Sequence, residues 1–157
     1  MRAVLNTGAP GSGKTSVLTA LSDALSDDDV PHVAVEVEML AWTHPPLSDE
    51  ARLRHVRAIC AGHPLALVAE TVESEAELAA LREAVGADRS FVVRLEAPPD
   101  TLAERIVARE PPGWSGLSAL VEHARAMAPV AGADLVLSTD GETAEAIAAR
   151  IRKTAWI

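Results

Sequence analysis

The stretch GAPGSGKT, Gly8 to Thr15, decides how the chain is read. Ahead of it stands MRAVLNT, which reads as one short strand over 2–7. Behind it Val17, Leu18, Leu21, Ala24 and Leu25 recur at one-face helical spacing, and the acidic run Asp27 to Asp29 with Pro31 ends that helix. Strand, glycine loop and helix in this order satisfy G-x-x-x-x-G-K-[ST] together with the context the motif needs. Chance alone would have to supply all three. Gly8, Gly11 and Gly13 give the backbone conformations closed to other residues, and with Ala9, Pro10 and Ser12 they form a loop whose N–H groups can cradle phosphate oxygens. Lys14 adds a point charge near the β- and γ-phosphates and Thr15 offers a hydroxyl to Mg²⁺. Ser16 lies in the first turn of a helix whose positive end faces the same anion.

The 157 residues are most simply one domain, and 48% hydrophobic with 24% charged residues suits a globular chain. A net charge of −9 argues against nucleic acid bound across the general surface, so any anion must be met locally. The chain has two lysines, Lys14 and Lys153, against twelve arginines, and one of the two sits in the glycine loop. Cys60 is the single cysteine, which excludes an intrachain disulfide and a zinc site built from several thiolates. The start of the chain enters its strand without a charged and apolar leader, and no window approaches about 18 uninterrupted apolar residues. The expectation is a cytoplasmic protein without a membrane partner.

Further strands are expected near 32–38, 65–70, 90–96 and 134–138, with helices near 48–61, 73–85, 99–110, 115–128 and 142–152 between and after them. This alternation indicates an α/β parallel sheet. In such sheets ligands bind beyond the carboxyl ends of the strands, where Glu36, Glu38, Glu70, Arg94, Glu96 and Asp140 fall; these groups and the loop are expected to converge. Glu36 and Glu38, two apart on one strand face, can divide two tasks: one holds Mg²⁺ or its waters, the other accepts or positions an acceptor proton. The plainer alternative is two solvated acids at an edge strand. Glu70 stands where an acid of Walker-B type follows an apolar strand and is a candidate metal-side residue, or else a helix-start residue with Thr71 and Ser74 competing for the cap. Arg105 and Arg109, four apart beside the PPGW turn at 111–114, share one helical face and suit the neutralisation of a transferring phosphoryl group. The alternative is an exposed face with pairs such as Arg105 with Glu104 or Arg109 with Glu110, although neighbours in sequence do not face each other on a helix.

With GAPGSGKT, VEVEMLAW at 35–42, LAERIVARE at 102–110 and ADLVLSTDGETAEAIAARI at 133–151 in this order, the chain resembles the small P-loop kinases. These include the gluconate, shikimate, adenylylsulfate and nucleoside monophosphate kinases and chloramphenicol phosphotransferase. The resemblance implies a P-loop NTPase fold, a five-stranded parallel sheet of order 2-3-1-4-5 flanked by helices, with a short lid around 105–118. It further implies ATP and Mg²⁺ as ligands, Lys14, Glu38, Arg105 and Arg109 as catalytic residues, Thr15, Glu36 and Glu70 on the metal side, and Asp140 by the nucleotide. The expected activity is transfer of the ATP γ-phosphoryl group to a hydroxyl or phosphate of a small molecule. The acceptor would lie between strand two and the next helix, with Trp42 and His44 at the mouth and Arg52, Arg54 or Arg57 available to an anionic acceptor. The alternative is a nucleotide-binding NTPase or switch module acting on a protein partner.

Overall fold

The computed structural model describes residues 1–41, 43–155 and 157. The strands are β1 (Arg2–Thr7), β2 (Val33–Glu36), β3 (Leu65–Ala69), β4 (Arg89–Glu96) and β5 (Leu135–Ser138). The helices are α1 (Lys14–Asp27), α2 (Asp49–Cys60), α3 (Glu75–Val85), α4 (Pro99–Arg109), α5 (Leu117–Ala126) and α6 (Ala144–Ala155). All strand pairs are parallel and the order is β2-β3-β1-β4-β5.

The near-continuous apolar runs of β1 and β3 suit central strands covered on both faces. On one face Leu5, Val35, Val68 and Val92 meet Val56 and Cys60 of α2 and Leu78 and Leu81 of α3. On the other, Val4, Leu67, Val93 and Leu137 meet Leu21 and Leu25 of α1 and Ile147 and Ile151 of α6. A smaller cluster of Leu102, Ile106 and Ala124 closes α4 onto α5. Among the described residues no helix is long and apolar enough to cross a membrane.

One expected element ends early. The strand expected to 38 stops at Glu36, and Val37–Ala41 form a short 3₁₀ helix. Fully buried Val37 turns into the core beside Val35 and Val56, leaving Glu38 exposed at the sheet's carboxyl end. At the next helix start Ser48 caps α2, its hydroxyl accepting from the Ala51 N–H at 3.2 Å. Ser74, not Thr71, caps α3: it accepts from the Glu77 N–H, while Glu77 Oε2 reaches back to accept from the Glu73 N–H one residue before the cap, which leaves Thr71 to the site.

The glycine loop is held close against the end of β4. Gly8 has φ 142°, and a Cβ there would collide with the Leu95 carbonyl oxygen. Gly62 also has positive φ, 87°, but nothing surrounds the place its Cβ would take. Gly62→Ala is therefore expected to cost about 1 kcal/mol, the backbone penalty alone, and Gly8→Ala roughly 2 kcal/mol or more. Urea denaturation of the two variants measures the difference.

Candidate functional site

The site grows from the turn between β1 and α1. The N-cap of α1 is Gly13, at φ 92° and with no side-chain cap, and the recorded turn bond runs from Val17 N–H to Gly13 O at 3.0 Å. The N–H groups of Gly13, Lys14, Thr15 and Ser16 therefore have no carbonyl a turn behind them. With the helix dipole behind them they present an anion cradle. Lys14 is only 8% exposed, and its Nζ donates to Gly8 O at 3.1 Å and Ala9 O at 3.3 Å. Burial pulls the pKa of this ammonium below that of an ordinary lysine; Glu38, Glu70 and Glu36 act against that, while nearby Arg109 adds to it. Ser12 closes the turn through its N–H to Ala9 O at 3.1 Å, and its buried hydroxyl has no partner.

Two carboxylates face the loop. Glu36 Oε1 accepts from Thr15 Oγ1, and Glu38 Oε1 accepts from Thr71 Oγ1, each at 2.5 Å. Glu38 Oε1 also lies 3.8 Å from Lys14 Nζ. The pair is brought together, though not by alternation along one strand: Glu36 ends β2 and Glu38 arrives on the 3₁₀ turn. Pro10, Gly11, Gly13, Lys14, Thr15, Ser16, Glu36 and Glu38 line one cavity of about 1080 Å³. Its opposite side is made by Arg105, Arg109, Glu110, Trp114, Leu120 and His123, the end of α4 and the start of α5.

The two arginines of α4 differ. Arg105 is fastened: its Nη1 donates to Thr139 Oγ1 at 2.8 Å and Gly11 O at 3.3 Å, and its Nη2 to Thr139 O at 2.8 Å. Arg109 is 57% exposed and pairs with Glu110, Nη2 to Oε1 at 2.6 Å. Adjacent residues meet here because Glu110 is the extended cap of α4, at ψ 149°, and its side chain leaves the helical arrangement. The rule against neighbouring pairs within a helix does not reach that position.

Several expected groups lie elsewhere. Glu70 is nine-tenths buried behind the cavity wall, 3.5 Å from Arg52 Nη1, with Oε2 unpartnered. Burial pushes its pKa up to about 7 against the opposing pull of Arg52, with Glu38 raising it further. Arg52 also binds Asp49, Arg54 binds Glu50, and Arg57 reaches the Glu83 backbone carbonyl, so these three do not line the cavity. His44 is exposed and not among the lining residues, and Trp42 lies outside the described residues. Asp140 accepts from Thr101 Oγ1 at 3.1 Å outside the cavity. Arg94 pairs with Glu96 at 2.7 Å and donates to Val130 O, facing a separate cavity of about 270 Å³ on the far side of the loop. The convergence of every strand-end charge on the loop is thus corrected: the end of β2 and the 3₁₀ turn after it supply Glu36 and Glu38, Glu70 after β3 is held with Arg52, and the charges of β4 and β5 turn aside.

Sequence reading did not single out Met39, Thr71, Leu120 or His123 as lining residues, whereas Trp114 falls in the PPGW turn of the expected lid. Thr71 is read in the sequence only as a competing cap. Leu120 and His123 are three apart on α5, a spacing that places them on one face; His123 Nε2 lies 3.3 Å from Glu73 Oε1. Among the described residues no group of three or more His, Cys, Asp or Glu forms a metal cluster. The hydroxyl of Thr15 beside the Glu36 carboxylate still fits Mg²⁺, which uses one or two hard oxygen ligands from protein and takes the rest from phosphate and water.

A model of the AAA domain family matches residues 4–114. No curated protein sequence matches the chain. Among solved structures it is similar to the APS kinase CysC of Mycobacterium tuberculosis in complex with AMPPNP and APS, at TM-score 0.70 and 20% identity over 99% of this chain and 98% of that one. A sugar kinase from Janibacter sp. HTCC2649 aligns at TM-score 0.69 and 21% identity, covering 100% of this chain and 95% of that one. A gluconokinase from Sinorhizobium meliloti 1021 aligns at 0.66 and 18%, covering 98% and 95%. At these identities the likeness establishes a shared fold, that of the small P-loop kinases. The sheet order, the glycine loop at its centre and the match over most of the chain lead to one conclusion: the chain belongs to the AAA domain family.

Proposed function

We propose that the chain is a single-domain, ATP-dependent small-molecule kinase that transfers the γ-phosphoryl group to a hydroxyl or phosphate acceptor. The observation that carries this reading is the meeting, in one cavity, of an anion cradle and buried Lys14 with the Glu38 carboxylate 3.8 Å from Lys14 Nζ. A site that only held nucleotide would need the first half alone. The kinases among the structural neighbours support the same reading.

The residues divide the work. The loop from Gly8 to Gly13 and the open N–H groups at the start of α1 hold the donor phosphates, and Lys14 compensates their charge. Thr15 and Glu36 would hold Mg²⁺, which supplies charge neutralisation at the phosphates. Glu38 accepts a hydrogen bond from Thr71 and stands free on its other oxygen to orient an acceptor hydroxyl and take its proton as the oxygen–phosphorus bond forms and the bond to the leaving diphosphate breaks. Arg109, exposed at the rim, is the arginine able to reach transferred charge, whereas Arg105 fastens the loop to β5 and α4. The stretch 105–118 forms the short lid over the cavity. Glu70, held with Arg52, is a buried structural acid rather than a metal ligand.

Turnover with a panel of hydroxylated metabolites and nucleoside monophosphates tests the reading. Acceptor-stimulated ADP release is expected; ATP binding with only acceptor-independent hydrolysis would favour an NTPase or switch. Lys14→Ala should abolish nucleotide binding or transfer. Glu38→Gln should leave ATP affinity within about threefold and reduce kcat roughly a hundredfold or more. Equal losses of affinity and turnover would remove the role assigned to Glu38.

The two arginines should separate as well. Arg109→Ala is expected to lower kcat with Tm nearly unchanged, and Arg105→Ala to lower Tm by several degrees, the difference between a charge at the rim and a tie between elements. For Glu70, a folded pKa of about 7 against 4.5 for the free group means that the folded state binds the extra proton. Stability from this group is greatest below about pH 4.5, falls as pH rises, and is fully lost above about 7, a swing on the order of 3 kcal/mol. Glu70→Gln should therefore flatten the fall in Tm between pH 4.5 and 7 and be the more stable protein above it.

A further inference from the structure

Lys14, Arg105 and Arg109, the cations that line the cavity, each already have a partner within the protein. Lys14 donates to Gly8 and Ala9 carbonyls, Arg105 to the Gly11 carbonyl and Thr139, and Arg109 pairs with Glu110 at 2.6 Å. The remaining walls are different in kind. Glu38 and Thr71 form one side, His123 beside Glu73 another, and Met39, Trp114 and Leu120 supply apolar surface. Met39 and Trp114 are 50% and 44% exposed, large apolar side chains left open on a cavity wall.

Arginines outside the cavity are matched as well. Arg52 binds Asp49 and Glu70, Arg54 binds Glu50, Arg125 binds Asp100 and Arg94 binds Glu96. An acceptor bearing a carboxylate or phosphate would have to displace one of these pairs or lie beside Glu38 uncompensated, and like charges at such distances repel. An apolar body with a hydroxyl meets no such penalty, and an ammonium gains from Glu38.

Resting on the kinase reading, we propose that the acceptor is an amphipathic alcohol with no anionic group, neutral or carrying an ammonium, and that Glu38, Thr71, Met39, Trp114 and Leu120 select it. In the transfer, the alcohol oxygen bonds the γ-phosphorus, the bond from that phosphorus to the bridging oxygen of ATP breaks to leave ADP, and the alcohol proton passes to Glu38 and then to water.

A matched set of benzyl alcohols tests the charge preference. Para-aminomethylbenzyl alcohol, benzene-para-dimethanol and para-hydroxymethylbenzoate share shape and differ in charge. Their binding to the full chain is measured by calorimetry with a non-hydrolysable ATP analogue and Mg²⁺ present. The ammonium and neutral probes are expected to bind at least about tenfold more tightly than the carboxylate, a gap of about 1.4 kcal/mol. Glu38→Gln should bring the ammonium and carboxylate probes closer together, whereas Arg57→Ala, away from the cavity, should leave the order intact. A carboxylate probe that binds as well as the others overturns the proposal, and so does failure of both non-anionic probes to bind. Phosphorylated product and ADP are assayed separately with ATP. If no alcohol is phosphorylated, the kinase reading fails, and the binding order still decides the charge preference of the cavity.

Discussion

The close approach of a bare backbone to two carbonyl oxygens governs this molecule. At Gly8 a side chain would strike the Leu95 carbonyl at the end of β4, and at Gly11 a Cβ would lie 2.8 Å from the Leu102 carbonyl of α4. Both positions have positive φ, 142° and 81°. The loop can therefore fold down between β4 and α4 only because these residues lack a Cβ. That descent sets the direction of α1, and with it the place of Lys14, Thr15 and the free N–H groups. Arg105 completes the fastening by joining α4 to the loop at Gly11 and to Thr139 beyond β5.

Electrostatics add a second layer to that frame. Lys14 loses most of its water, and the loss is offset by two loop carbonyls and three nearby carboxylates. Glu70 is handled the other way. It is buried with one long contact to Arg52 and an unpartnered oxygen, so its charge is expensive and its proton is retained to nearly neutral pH. One ion-bearing group, on the cavity wall, is solvated by the fold, and the other, buried behind that wall, is left close to neutral.

The parts legible in the sequence were those set by local rules. The glycine loop, the helix after it, the parallel α/β sheet and the Ser48 cap follow from spacing and turn chemistry, the strand order follows from the resemblance to the small P-loop kinases, and they agree with the structure. The distribution of charge was not legible, because which partner each side chain takes depends on the fold around it. Arg94 turns to Glu96 and the Val130 carbonyl, Asp140 turns to Thr101, and Arg57 reaches across to α3; no periodicity records such choices. Glu38 reached its expected neighbour by an unexpected path, because burying Val37 ended the strand and began a 3₁₀ turn. His123 and Leu120 were missed because they belong to a helix read only for its existence. Their relevance comes from α5 folding back under α4 through Leu102, Ile106 and Ala124.

The two carbonyls that hold Lys14 have a thermodynamic consequence. A free lysine side chain samples many rotamers, and fixing it costs up to about 2 kcal/mol of conformational entropy. Here Nζ is already tethered to Gly8 and Ala9 within the loop, so that ordering is part of folding rather than of ligation. Any anion entering the cradle meets a cation with its freedom already spent, and the enthalpy of the new contact is diminished by little further ordering at that residue. The loop is in this sense a preorganised receptor, and its affinity is set by how well its donors match the incoming group rather than by how far they must move to reach it.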